Sequence, residues 1–192
     1  MRNILLTLGL VCAAVPAQAA VTIDFQNLTT EGNRPSVSYP EVTFTNGLDR
    51  PLSVIRTFST GDSRICAIGN NFACTGELIA TFAKPVNNLQ LDVLGVNLPT
   101  DIVSFLVEFG AGESETVTFS NLNLGVDANL IDLGRFRDVS RFELTSTDAT
   151  GVSIDNVRFA PVPEPGTWAM MIAGFGLAGA ALRRRAPRAV FA

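Results

Sequence analysis

The 192-residue chain contains no histidine, and that absence decides most of its chemistry. Without an imidazole there is no base for a serine or cysteine nucleophile of the usual triad kind, and histidine-containing zinc sites are excluded. No glycine-rich loop precedes a Lys-Ser or Lys-Thr pair, so a phosphate-cradling loop is absent too. Carboxylates remain. Glu113-Ser114-Glu115 offers two acids of the type a glycosidase sets across a cleft. They follow Gly110-Ala111-Gly112 at an expected hairpin tip, where acids are ordinarily just solvated. Tyr39, Arg135, Arg137 and Arg141 are the side chains that would meet a polysaccharide, the arginines by hydrogen-bonding an acidic one. Scattered arginines on an acidic domain are more often plain surface, and sugar platforms generally use exposed Trp or Tyr. Tyr39 is the only Tyr, and the single Trp, at position 168, lies outside the body of the chain.

These residues must be positioned by strands. Val21 to Phe25, Val42 to Phe44, Leu52 to Phe58, Leu78 to Phe82, Leu89 to Leu94, Ile102 to Phe109, Glu115 to Phe119, Leu130 to Leu133, Val139 to Leu144 and Val152 to Phe159 are rich in β-formers or alternate apolar with polar positions. Asn46-Gly47 is a strong turn signal, and Pro85-Val86-Asn87-Asn88 separates two of the runs. Ile102 to Phe109 is apolar enough to predict a central strand covered on both faces. Nine or ten short strands at roughly ten-residue intervals predict an all-β antiparallel sandwich, best matched by a jelly roll. The thirteen Phe fall mostly at alternating strand positions, as core residues do.

Both termini read as addresses. Arg2, the apolar run Ile4 to Val15 and Ala17-Gln18-Ala19 form a secretory signal peptide over residues 1–19, cut before Ala20 by signal peptidase after passage through the secretion machinery. The body, residues 20–160, has nine basic and seventeen acidic side chains, so it has no electrostatic footprint for nucleic acid. In an exported chain, the body's two cysteines, Cys66 and Cys74, most simply close a local disulfide around the turn sequence Gly69-Asn70-Asn71. A redox or metal role is the alternative for that pair.

Residues 161–192 hold Pro163-Glu164-Pro165, an uncharged apolar run from Trp168 to Leu182, and Arg183-Arg184-Arg185. The run predicts a helix over about 166–182, some 22–25 Å long at ~1.5 Å per residue and shorter than the ~30 Å bilayer core. Snorkelling arginines and interfacial Trp168 would make up the difference and place a single transmembrane helix with its arginines in the cytoplasm. The alternative is a buried C-terminal core helix. This tripartite tail resembles the PEP-CTERM sorting signal of Gram-negative bacteria, although seven residues follow the arginines. The resemblance implies recognition by an exosortase, anchoring in the inner membrane facing the periplasm, then processing that moves the body to the cell surface or outside. It also implies a setting of exopolysaccharide, biofilm or envelope assembly.

Phe44 to Asn46, Ala80 to Lys84 and Ile154 to Phe159 resemble the galactose-binding-like jelly rolls found ahead of such tails. That likeness implies a structural calcium near the first and last strands, with Asp24, Asp155 and Asn156 as ligands. Two ordinary exposed Asp residues are the other reading. The sequence therefore predicts an exported, non-enzymatic β-sandwich with a sorting tail. A carbohydrate-binding module is the alternative, and a carboxylate-based glycoside hydrolase a distant one.

Overall fold

A computed structural model describes residues 19–28, 32–56, 62–125, 127–162 and 165–184. The signal peptide up to Gln18, Pro163 and Glu164 of the motif, and Arg185 lie outside the described residues. In chain order the strands are β1 (Val21–Ile23), β2 (Gly32–Arg34), β3 (Val37–Ser38), β4 (Val42–Asn46), β5 (Leu52–Arg56) and β6 (Ser63–Ala67). There follow β7 (Leu78–Leu94), β8 (Val103–Phe109), β9 (Glu113–Phe119), β10 (Asn129–Asp132), β11 (Val139–Ser146) and β12 (Ser153–Pro161), then helix α1 (Pro165–Arg184).

All pairings between named strands are antiparallel and build two layers. One layer runs β3-β4-β7-β11-β8-β9. The other runs β2-β5-β6-β12-β7-β10, with β1 also laid against β12. This is the expected β-sandwich, with three strands beyond the expected runs: the short β2 and β3, and β6. Between the layers Phe25 packs edge-on to Phe44 at 5.3 Å, and Phe82 to Phe159 at 5.1 Å. Phe105 contacts Phe142 at 5.8 Å. Such pairs are worth ~0.5–1.5 kcal/mol each beyond the area they bury.

Strand β7 belongs to both layers, and the expected break at Pro85 to Asn88 is where it passes from one to the other. The sequence divides at Pro85 to Asn88, because burial moves from Leu78, Ala80, Phe82 and Val86 to Leu89, Leu91 and Val93. An even-to-odd flip normally marks a turn. Here the chain folds back while its pairing continues: Leu78 lies beside Leu144 and Leu94 beside Ser153, on the two sides of the 147–152 loop, with Val86 beside Val139 and Pro161 at the far end, and the first half pairs with β4 and β11, the second with β10 and β12. Asn88 takes a positive φ of 54° at the crossing, a conformation Asn tolerates. Pro85, which has no N–H to give a ladder, sits where the partners change and uses its carbonyl to accept from Val162 N at 3.0 Å.

Two expectations are corrected. Asn46-Gly47 does turn the chain, but not into a hairpin, because β4 lies in one layer and β5 in the other. The Asn46 side chain makes the crossing, donating to the Ile68 carbonyl at 2.8 Å and accepting from Leu48 N at 3.0 Å. Strand β8 is covered on one face only, with Val103, Phe105 and Val107 buried and Ser104, Leu106 and Glu108 half-exposed.

The sandwich has two distinct ends. Loops 95–102, 120–128 and 147–152 share one end with the disulfide loop, since β12 begins with Ser153 beside Leu94 and Cys74 bridges to Gly151. The 110–112 and 133–138 turns mark the other end, where β12 finishes with Pro161 beside Val86 and the tail departs. Nine residues of strand put these ends roughly 25–30 Å apart.

Candidate functional site

At the tail end, α1 starts at Pro165, where a fixed φ suits a first helical turn. Its described side chains are exposed or half-exposed, Ile172, Phe175 and Leu177 among the exposed, so it is not a buried core helix. Among the described residues no helix is long and apolar enough to cross a membrane. Gly174, Gly176 and Gly179 dilute the apolar surface, and Arg183 and Arg184 close the helix rather than follow it.

The arginines singled out for an acidic glycan stand at this end or near it, and two of the three are engaged. Arg135 pairs with Glu115 and lies over the Phe136 ring at 4.5 Å. Arg141 is inside β11, not in a loop, and binds Glu108 at 2.5 Å and Glu143 at 2.9 Å. The exposed Arg137 supplies its carbonyl to Gly110 N at 3.3 Å. Glu113 and Glu115 are exposed on the edge strand β9, with no cleft between them. Tyr39 belongs to another place altogether. From Ser38 the ladder steps through Thr43, Thr81, Arg141 and Glu108 to Ser114, five strand spacings or about 24 Å. The Tyr39 hydroxyl donates to Asn27 Oδ1 at 2.7 Å and the ring packs on Phe25, so it is no open platform. Burial, then the neighbouring Asp24 charge, raises its pKa above the ordinary phenol value. The structure does not bring Tyr39 together with Arg135 and Arg137.

Asp24, Asp155 and Asn156 do come together, because β1 pairs with β12 through Ile23 and Val157. Asp24 accepts from Gln26 N at 3.1 Å and Asp155 from Asn156 N at 2.7 Å. The Asn156 amide donates to Asp92, which also receives Arg158 at 3.1 Å. Burial raises the Asp155 pKa to about 6; the Asn156 N–H opposes this, and the Asp92, Asp62 and Asp24 charges add to it. No group of three or more carboxylate, thiol or imidazole side chains among the described residues is placed to hold a metal ion.

At the opposite end lies a site the sequence reading missed. Asp148, almost fully buried, accepts from the backbone N–H of Asn97 at 2.7 Å, Thr150 at 2.8 Å and Gly151 at 2.9 Å. It also accepts from the Asn97 amide at 3.0 Å and the Thr150 hydroxyl at 2.8 Å. Burial works to raise the Asp148 pKa, but the bonds from Asn97 and Thr150 outweigh it and hold the carboxyl below the usual range. Cys66 and Cys74 are disulfide-bonded, Cα to Cα 5.4 Å, as expected. Cys74 N donates to the Thr150 carbonyl at 3.1 Å, which presses the disulfide loop against this network.

Between them is a cavity of about 260 Å³ lined by Ile55, Arg64, Cys74, Asn97, Thr150 and Ser153 with the backbones of three glycines. Arg64 Nε is buried and has no hydrogen-bond partner among the described residues. A larger hollow of about 530 Å³ lies beside β2, and its Arg50 donates to the Gly69 carbonyl at 3.4 Å. Only the flanking Asp-x-Thr-Gly turn at 148–151 hints at the smaller cavity, since Arg64 lies between Leu52 to Phe58 and Leu78 to Phe82, in a segment not expected to be a strand.

Comparisons with known proteins agree on the tail. A family model for the PEP-CTERM protein-sorting motif matches residues 161–185. No curated protein matches the chain. Among solved structures, the Podospora anserina GH26-CBM35 β-(1,4)-mannanase is 10% identical over 78% of this chain and 29% of that one, with a TM-score of 0.38. TmCBM61 in complex with β-1,4-galactotriose is 10% identical over 68% of this chain and 99% of that one, also at 0.38. Bacteriophage CBA120 tailspike protein 4 is 17% identical over 72% of this chain and 20% of that one, at 0.32. The chain thus spans under a third of the mannanase and of the tailspike, and likeness at this level transfers no activity. What the chain carries is a PEP-CTERM protein-sorting motif at residues 161–185, attached directly to the last strand of an antiparallel β-sandwich.

Proposed function

We propose that this protein is a non-enzymatic envelope or extracellular-matrix component, exported by its signal peptide and held by α1 in the inner membrane with the body in the periplasm. An exosortase then recognises Pro163-Glu164-Pro165 and releases the body to the surface or the medium, among exopolysaccharide. The observation that carries this is the sorting-motif match starting at Pro161, the last residue of β12. Only Val162 to Glu164 separate the folded body from the helix. Prolines on both sides of Glu164 restrict the backbone and disfavour helix before each ring, so the segment is suited to capture in an extended form. Exposed Ile172, Phe175 and Leu177 give α1 an apolar surface that the body does not cover, and a lipid environment would.

Fractionating cells with and without the exosortase tests this reading. The expected result is full-length chain trapped in the inner membrane when the enzyme is missing and shortened chain outside when it is present. The same distribution in both strains would overturn it.

A further inference from the structure

We infer that the outer edge of β9 docks a second copy of this chain, by antiparallel strand pairing about a two-fold axis at Thr116. A sheet edge presents a row of main-chain N–H and C=O groups that can template another strand, and soluble proteins blunt such edges. The other edge strands here are blunted by shortness: β1 and β2 have three residues each, β3 two and β10 four. Strand β9 has seven residues and pairs with β8 alone. Its register runs from Phe109–Glu113 to Val103–Phe119 without a bulge, and it contains neither proline nor lysine. Among the described residues no other strand or loop hydrogen-bonds to its outward main-chain groups.

The side chains of β9 say what covers it. In the register that uses the whole strand, Thr116 meets Thr116 of the second copy, Ser114 meets Thr118, Glu115 meets Val117 and Glu113 meets Phe119. Residues 114, 116 and 118 then line the outer face as Ser–Thr and Thr–Thr pairs, which are favourable across strands. On the inner face, Val117 and Phe119 are only half-buried against the core, Phe119 edge-on to Phe105 at 5.9 Å, and the second strand covers their open flank. No Glu stands opposite a Glu. Glu115 lies diagonal to its own copy, ~7–8 Å away, and Arg135 already meets its charge. Slipping by one residue would set outer hydroxyls against inner side chains. Slipping by two sets Glu115 opposite Glu115 in one direction and leaves Glu113 and Ser114 unpaired in the other.

The pairing gives about six main-chain hydrogen bonds. It is small beside the ~1,200–2,000 Å² of stable soluble interfaces, so the dimer is weak and exchanges. A two-fold contact closes on itself, and the remaining edges are short, so assembly stops at two. Copies standing side by side on their tails run β9 in the same direction, because β9 starts and β12 ends at the tail end of each body. Antiparallel pairing therefore suits copies that have left the membrane. That clause rests on the sorting reading; the edge itself does not.

The test is disulfide trapping of the purified full chain in mild detergent, where each body is free to turn. Thr116→Cys should give a covalent dimer under air, because the paired Cα atoms lie ~4.5–5.5 Å apart, within a disulfide's reach. The double variant Ser114→Cys, Thr118→Cys should do the same. Ser114→Cys alone should not, since its own copy is four residues along, ~14 Å away. Adding Thr116→Lys to the double variant should lower the dimer yield at least fivefold, by setting two ammonium groups opposite each other. All three positions are exposed, so the body keeps its fold. No dimer from either cysteine design, equal trapping by Ser114→Cys alone, or a yield unmoved by Thr116→Lys would overturn the assignment. In cells, trapped dimer should appear among released chains and be absent without the exosortase; equal trapping in both strains removes the clause on release. Failure of trapping with exosortase-dependent processing intact removes the docking edge alone, and trapping of the purified chain with processing absent removes the sorting reading alone.

Discussion

Toward the tail end of the sandwich Arg135 is held by Glu115 and Arg141 by Glu108 and Glu143, while at the loop end Arg64 keeps a buried nitrogen without a partner among the described residues. The same residue type therefore does two jobs. Near the tail, the exposed Arg135–Glu115 pair contributes little stability, while Arg141 is half-buried between its two carboxylates. At the loop end, Arg64 lines a hollow bounded by Cys74 of the disulfide and three glycine backbones, beside the hydrogen-bond network of Asp148. Counting arginines points to the first set; asking which one lacks a partner points to the second.

The comparison breaks most sharply at Gly151. Its φ is +78°, and a Cβ there would collide with the Cys74 carbonyl. Gly151→Ala should cost about 3 kcal/mol or more and loosen the disulfide loop from the 147–152 loop. Urea unfolding of the full chain measures this; a change below ~1 kcal/mol would mean that the two loops are not locked together. Removing the disulfide as a Cys66→Ala, Cys74→Ala pair should cost about 2–3 kcal/mol, from the restored entropy of a short loop. The same pair of changes should increase protease nicking near Phe72 while leaving the tail-end turns as resistant as before. Equal loss of protection at both ends would contradict the division.

The smallest effect concerns the two perturbed carboxyls, and their signs are opposite. Asp155 is raised to about 6 in the folded state, so the stability it contributes is present below about pH 4 and lost as pH rises through about 6. Asp155→Asn should therefore stabilise at neutral pH, by about 1 kcal/mol once solvent screening of this half-buried group is allowed for. Asp148 is depressed, so its contribution is present above about pH 4 and disappears on further acidification, loosening the loop end first. Thermal melts from pH 3 to 8 follow both. Melts at pH 7 in millimolar calcium and in excess chelator belong to the same series: a higher melting temperature with calcium supports the Asp24, Asp155 and Asn156 expectation, and equal values leave Asp155 to its proton.

Much of this was legible in the chain. Strand positions follow from alternation, the disulfide from two cysteines in an exported body, and the sorting tail from the order of its three parts. Adjacency of Asp24 and Asp155 followed from expecting the first and last strands to meet. The reversal within β7 was legible at Pro85 to Asn88, but the change of sheets that accompanies it was not, because a flip in alternation looks the same with or without one. Arg64 was hidden for a related reason. Asn97, Thr150 and Cys74, which line the same hollow, come from three separate connections, and no spacing along the sequence reports which loops share an end. Tyr39 failed as a platform because exposure cannot be read from residue type; Asn27 and Phe25 hold it down.

The account depends first on the tail being a temporary anchor. Mass spectrometry of the chain's C-terminus, taken from the envelope and from the medium, tests that most directly. A released form ending near Pro163 to Pro165 and lacking α1 is the predicted result. Chains that continue intact through Ala192 in both fractions would contradict it and leave the helix as a permanent part of the protein.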